Sequence, residues 1–201
     1  MSKSKKSIFK RWWFWLIVII IIGGIVGQTG GKKDAKDSEG TKQEVSKNEK
    51  EKEKEETKIT YENFLAIKLG EPYSEVVKLL GEGKEDTSSE VAGIKTAIYS
   101  WKGEGLSNMN VTVQKDVVTG KAQLGLKAER TNITLEKYNS VKEGMTYDEV
   151  KDILGEGEVL SESKIMDSQS IIYSYSNKDG SNANFTFNGN KLQVKSQFQL
   201  K

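Results

Sequence analysis

Residues 59–127 and 133–201 align without a gap at an offset of 74, with roughly a third of the paired positions identical. The pairs include Gly70/Gly144, Tyr73/Tyr147, Glu75/Glu149, Val76/Val150, Leu80/Leu154, Gly81/Gly155, Tyr99/Tyr173 and Gln123/Gln197. Duplication of this kind constrains the fold more than any other feature, because whatever one copy forms, the other must form too. A unit of about 70 residues is marginally stable alone, so docking between the copies is expected. The connector, "AERTN" at 128–132, is short and should hold them side by side with limited freedom.

Each copy opens on a short helix, "ITYENFLAI" or "ITLEKYNSV". A second helix follows within "GEPYSEVVKLLGEGK" and "GMTYDEVKDILGEGE". In the later copy, Thr146 and Glu149 have the spacing of a capping box. Val150, Ile153 and Leu154 form its apolar stripe, and Gly155 ends it where a left-handed residue is wanted. In the earlier copy Pro72 replaces the capping threonine; it cannot cap, but its fixed φ suits a helix start.

The rest of each unit alternates. Ala97, Tyr99 and Trp101, Met109, Val111 and Val113, and Leu124 and Leu126 share one apolar face. Ile171, Tyr173 and Tyr175, Ala183, Phe185 and Phe187, and Phe198 and Leu200 do so in the later copy. A further strand fits near 84–92 and 158–166. The fold class expected is α+β: two tandem helix–loop–helix plus four-stranded antiparallel sheet units in two layers. Asp179-Gly180 reads as a hairpin turn.

The opposite sheet face is expected to carry Ser100, Lys102, Asn110, Thr112, Gln114, Lys121, Gln123 and Lys127. In the later copy it is expected to carry Ser174, Ser176, Asn184, Thr186, Asn188, Gln193, Lys195, Gln197 and Gln199. It is either the wet side of a half-buried sheet, which needs no partner, or a polar recognition surface running over both copies. By this alternation it has no aromatic anchor, which argues against a very tight interface.

Ahead of the repeat come a basic flank (1–11), an uncharged apolar segment (12–31) and a mixed-charge stretch (32–58). The flank has Lys3, Lys5, Lys6, Lys10 and Arg11 and no acid. An uncharged helix from Trp12 to Gly31 would be about 30 Å long, enough to span the hydrocarbon core. Trp12, Trp13 and Trp15 sit at its charged end, where indoles favour the headgroup layer. The expectation is a single-pass signal-anchor transmembrane helix, flank inside and repeat extracytoplasmic; secretion after signal cleavage is the alternative. Residues 32–58 have too little apolar surface to fold and read as a disordered tether. They are electrically neutral, which leaves residues 59–201 net acidic. That balance speaks against nucleic-acid binding.

The chain contains no cysteine and no histidine, so thiolate, imidazole and ordinary zinc chemistry are excluded, and neither metal nor cofactor is expected. Glu75 and Glu149 could pair as catalytic acids, but each stands at the third position of a helix, where a carboxylate serves the helix end. "GEGK" at 81–84 lacks phosphate-loop spacing. No enzymatic activity is expected.

The phrase "YNSVKEGMTYDEVKDILGEGE", an aromatic strand pair and the ending "NGNKLQVKSQ" resemble the repeat of beta-lactamase-inhibitory-protein-like domains. They also resemble the related outer-membrane assembly lipoprotein domain of SmpA/OmlA type, and exported tandem proteins of Gram-positive bacteria. The resemblance covers residues 59–201. It implies helix–loop–helix on a four-stranded sheet, with tandem sheets that, in the inhibitor, form a concave face gripping an enzyme. The function expected is a membrane-anchored extracytoplasmic binding or scaffold module whose polar sheet face engages a protein or cell-envelope partner. The alternatives are an inhibitor of a beta-lactamase or penicillin-binding enzyme and, less in keeping with the residues, a carboxylate-dependent cell-wall enzyme.

Overall fold

The structure, a computed structural model, describes residues 58–127 and 129–201. The flank, the apolar segment and nearly all of the tether lie outside the described residues. No helix among the described residues is long and apolar enough to cross a membrane. The first unit holds α1 (Tyr61–Ala66), α2 (Tyr73–Leu80), β1 (Lys84–Val91), β2 (Ile94–Lys102), β3 (Asn108–Gln114) and β4 (Val117–Leu124). The second repeats it as α3 (Leu135–Ser140), α4 (Tyr147–Leu154), β5 (Glu158–Ile165), β6 (Ser168–Ser176), β7 (Asn182–Asn188) and β8 (Lys191–Phe198).

The helix starts obey their sequence signals. The Thr146 hydroxyl accepts the Glu149 amide at 3.3 Å, and Glu149 Oε2 accepts the Thr146 amide at 2.7 Å, which completes the capping box. Pro72 makes no side-chain cap. There the free Tyr73 amide donates to the Asp116 carbonyl at 2.9 Å, so the β3–β4 turn does the capping that the residue cannot.

The repeated L-G-E-G phrase contains glycines with two different jobs. Gly81 (φ 85°, ψ 180°) and Gly155 (φ 80°, ψ −172°) leave the helix with positive φ but extended ψ. This is a glycine-only conformation, and not the left-handed helical one expected. Gly83 and Gly157 instead make room: an added Cβ would lie 2.5 Å from the Trp101 ring and 2.9 Å from the Tyr175 ring. Those rings lean in because Trp101 Nε1 donates to the Gly81 carbonyl at 3.1 Å and the Tyr175 hydroxyl to the Gly155 carbonyl at 2.9 Å. Gly83→Ala is expected to cost about 1–3 kcal/mol through overpacking. The check is the urea midpoint, and a change equivalent to under about 0.5 kcal/mol would mean that the ring slides aside freely.

All eight strands form one antiparallel sheet in the order β1 to β8. The copies are therefore joined as well as docked: β4 pairs with β5 through Gly120–Ala122 against Ser161–Ser163. Lys121 Nζ lies 3.4 Å from Glu162 Oε2 across this seam. Gln123 Nε2 donates to Glu158 Oε1 at 2.7 Å and to the Val159 carbonyl at 3.0 Å. The Tyr61 hydroxyl, from α1, accepts the Val159 amide at 2.7 Å.

Every helix among the described residues packs on the same side of the sheet. Phe64, Ile67, Val76 and Leu80 pack with Trp101, Met109, Val111, Val113 and Val118. Val141 and Val150 pack with Tyr175, Phe185, Phe187 and Leu192, and Tyr138 lies against that cluster. Tyr73 stacks on Tyr99 at 4.2 Å and Tyr147 on Tyr173 at 3.7 Å. Burial pushes the Tyr61 and Tyr173 hydroxyls from 10.0 up to about 12. A phenol whose folded pKa is raised contributes stability that is fully present below its unfolded pKa and is lost as pH rises through the folded value. The thermal midpoint should therefore hold up to pH 10.0 and fall between there and about 12. Phenolate absorbance should rise together with that fall; ionisation of all tyrosines at the ordinary value without unfolding would contradict it.

Candidate functional face

Directly opposed residues of an antiparallel pair share a face, so the register determines which side chains oppose the helices. Ser100, Asn110 and Ala122 can be traced across the first unit in this way: Ser100 opposes Asn110, and Asn110 opposes Ala122. Since Tyr99, Val111 and Met109 face the helices, Ser100, Lys102, Asn110, Thr112 and Gln114 lie on the open face, as alternation predicts. In the second unit Ser174, Ser176, Asn184, Thr186 and Asn188 lie there as well.

The last strand of each unit departs from expectation. Val111 opposes Lys121 and Met109 opposes Gln123, so Lys121 and Gln123 face the helices. Phe185 opposes Lys195 and Ala183 opposes Gln197, with the same consequence. The apolar residues expected inside, Leu124 and Phe198, oppose Asn108 and Asn182 and point out. Leu126 and Leu200 remain on the core side. The reason is a bulge at Thr119 and its counterpart at Gln193, each of which adds a residue and reverses the parity of the strand beyond it. Gln199 lies beyond β8 with φ 53°, and Gln193 is the unpaired bulge residue itself.

The inward polar side chains tie the last strand to the rest of each unit. Lys121 is 5% exposed and donates to the carbonyls of Phe64 (3.0 Å), Leu65 (3.3 Å) and Ile67 (2.6 Å), closing the C-terminal end of α1. Lys195 does the same for α3 through the carbonyls of Tyr138 (2.8 Å) and Val141 (2.7 Å). The Gln123 and Gln197 carbonyls accept the Leu126 and Leu200 amides, each at 3.1 Å. These residues are repeated because the scaffold needs them twice.

The open face is otherwise a field of hydroxyls and amides with exposed apolar side chains among them. Phe198 is 55% exposed, Val194 47% and Leu124 44%. Val194 opposes Thr186 and Phe198 opposes Asn182, so both stand on one strand beside an amide-rich row. The buried Oδ1 of Asn184, in that row, has no donor among the described residues. The bulges thus supply the aromatic anchor that simple alternation denied to this face.

Nothing described has the form of a catalytic centre. Glu75 and Glu149 start separate helices; Glu75 pairs with Lys78 at 2.7 Å. Hydrogen bonds from the Thr146 amide and hydroxyl hold Glu149 below the usual carboxylate range, opposite to what a general acid needs. Two shallow grooves, of 220 and 320 Å³, lie beside Tyr147 and Phe187 and beside Asn177 and Lys201. They are at or below the small end of ligand sites. No group of three or more metal-ligating side chains occurs among the described residues.

The family model described as beta-lactamase inhibitor (BLIP) matches residues 60–176, more than half of the chain. A crystal structure at 1.40 Å from Streptococcus mutans, provisionally described as a beta-lactamase inhibitor protein, superposes with a TM-score of 0.61 at 18% identity. The match covers 73% of this chain and 99% of that one, and at such identity it speaks to the fold alone. No curated protein matches the chain.

Proposed function

This chain belongs to the beta-lactamase inhibitor (BLIP) family, and on that premise we propose that it is a non-catalytic binding module whose open sheet face engages a protein partner. The observation that carries the reading is that face itself. It runs without a break over both units, all described helices pack on the other side, and Phe198 and Val194 project from a surface of amides and hydroxyls. Aromatic and apolar anchors within a polar surround are the usual makeup of a protein-binding patch. The apolar segment Trp12–Gly31 serves as a single-pass anchor, and residues 32–58 space the module from the membrane on the extracytoplasmic side. Its flanking charges and tryptophans support this orientation.

A photo-crosslinking residue at Thr186, on the open face, should capture a partner in cells, whereas one at Lys137, on α3, should not. Equal products from both positions, or none from Thr186, would remove the reading. Protease added outside intact cells should cut within 32–58 if the orientation is right. Family membership favours a second, narrower reading, that the partner is a beta-lactamase or a penicillin-binding enzyme. The purified chain failing to slow a panel of such enzymes at micromolar concentration would end the narrower reading and leave the broader one standing.

A further inference from the structure

The two units differ at one place that the duplication leaves open. Strand β4 is covered by β5, but its counterpart β8 has no strand on its outer edge among the described residues. The β4–β5 seam is therefore a template for what β8 can accept. Applying the offset of 74, the paired residues Gly120, Lys121 and Ala122 become Val194, Lys195 and Ser196. The close approach of β5 does not depend on glycine: a Cβ built at Gly120 meets nothing closer than 3.5 Å, with β5 in place.

Electrostatics sharpen the requirement. At the seam Lys121 has Glu162 at 3.4 Å in addition to its three carbonyls, whereas Lys195 has two carbonyls and no carboxylate within ion-pair distance among the described residues. From Lys191 to Lys201 the chain has three lysines and no acid, and Lys142 and Glu143 both lie near Lys195 without Glu143 forming an ion pair with it. A second copy of this chain is a poor occupant. In the register of the seam the counterparts of Glu162, Glu158 and Tyr61 are Ser88, Lys84 and Leu135, so a head-to-tail copy would place no carboxylate opposite Lys195 there, and two of the acids of β1, Glu85 and Asp86, are already paired with Lys95 and Lys84. Two basic β8 edges would repel each other, a common guard against self-pairing.

We infer that the outer edge of β8 is a strand-addition site for an extended segment of a partner protein that places a carboxylate opposite Lys195. Main-chain bonds along Val194–Ser196 supply the pairing and the acid supplies the register. The edge adjoins the open face through Val194, whose side chain stands on that face, so the peptide titration reads main-chain pairing at the edge while partner capture from Thr186 reads the face.

The probe is a synthetic peptide copying β5, EVLSESKI, titrated onto the full-length chain in mild detergent. Fluorescence anisotropy gives the affinity, and hydrogen exchange locates the contact. Exchange should slow in Val194–Phe198 and not in Val117–Leu124. The peptide carrying Gln at the position of Glu162 should bind at least about fivefold more weakly, as should one copying β1, KEDTSSEV. Equal affinity for the Glu and Gln peptides, no protection of β8 at millimolar peptide, or head-to-tail oligomers of the chain alone would each overturn the inference. Testing with peptide variants leaves Lys195 and its helix contacts untouched.

Discussion

Lys121→Met is expected to lower the free energy of unfolding by about 3–5 kcal/mol, the cost of removing one partner from a buried charged network. The amine is 5% exposed and has three carbonyls at the end of α1 and the Glu162 carboxylate around it. Its loss leaves those carbonyls without their donor and Glu162 without its cation, held only by the Gln169 amide at 2.6 Å. Against a total stability of about 5–15 kcal/mol, that is enough to unfold a substantial share of molecules at physiological temperature. The repeat provides an internal control. Lys195 performs the same helix closure without a carboxylate partner, on an uncovered edge, so Lys195→Met should cost about 1–2 kcal/mol. The double variant Lys121→Met/Glu162→Leu should recover part of the first loss, because two apolar side chains can replace a buried pair with little penalty. Urea unfolding of the full chain measures all three. Equal losses at Lys121 and Lys195 would mean that the seam carboxylate contributes nothing.

This contrast also shows what the sequence could and could not reveal. The duplication, the element order, the capping box and the missing cap at Pro72 are local patterns, and local patterns survive without knowledge of the partner strand. The faces of β4 and β8 do not. "VVTGKAQLGL" has Val118 and Leu126 on the core side, but between them Thr119 bulges and Gly125 turns with φ 72°. A single alternation drawn through both ends therefore reverses Lys121, Gln123 and Leu124. A lysine that alternation places in solvent instead closes a helix 54 to 57 residues away in sequence. The continuous sheet was equally hidden, since pairing of β4 with β5 rests on side chains from different units. One signal was present: Tyr61, Glu158 and Glu162 differ from their counterparts Leu135, Lys84 and Ser88. Identities between copies mark what each unit needs for itself, and differences mark the seam and the outward-facing anchors.

Phe198 is the sharpest of those differences on the open face, because its counterpart is the smaller Leu124. If the face binds as proposed, Phe198→Asp should weaken the crosslinked partner's affinity by at least about 2 kcal/mol, roughly 30-fold, the range of an aromatic hot spot. The fold should tolerate the change within about 0.5 kcal/mol, as the ring is 55% exposed and outside both core clusters. Leu65 is the matching control: it is 45% exposed, on α1 and thus on the helix side, and Leu65→Asp should leave the affinity unchanged. Surface hydrophobicity alone predicts equal losses from the two variants. A specific face predicts a loss from Phe198 only, expressed mainly as faster dissociation, since an anchor seated in the partner slows escape more than it speeds encounter. Equal affinities for wild type and Phe198→Asp, with both chains folded, would move the binding site off this face.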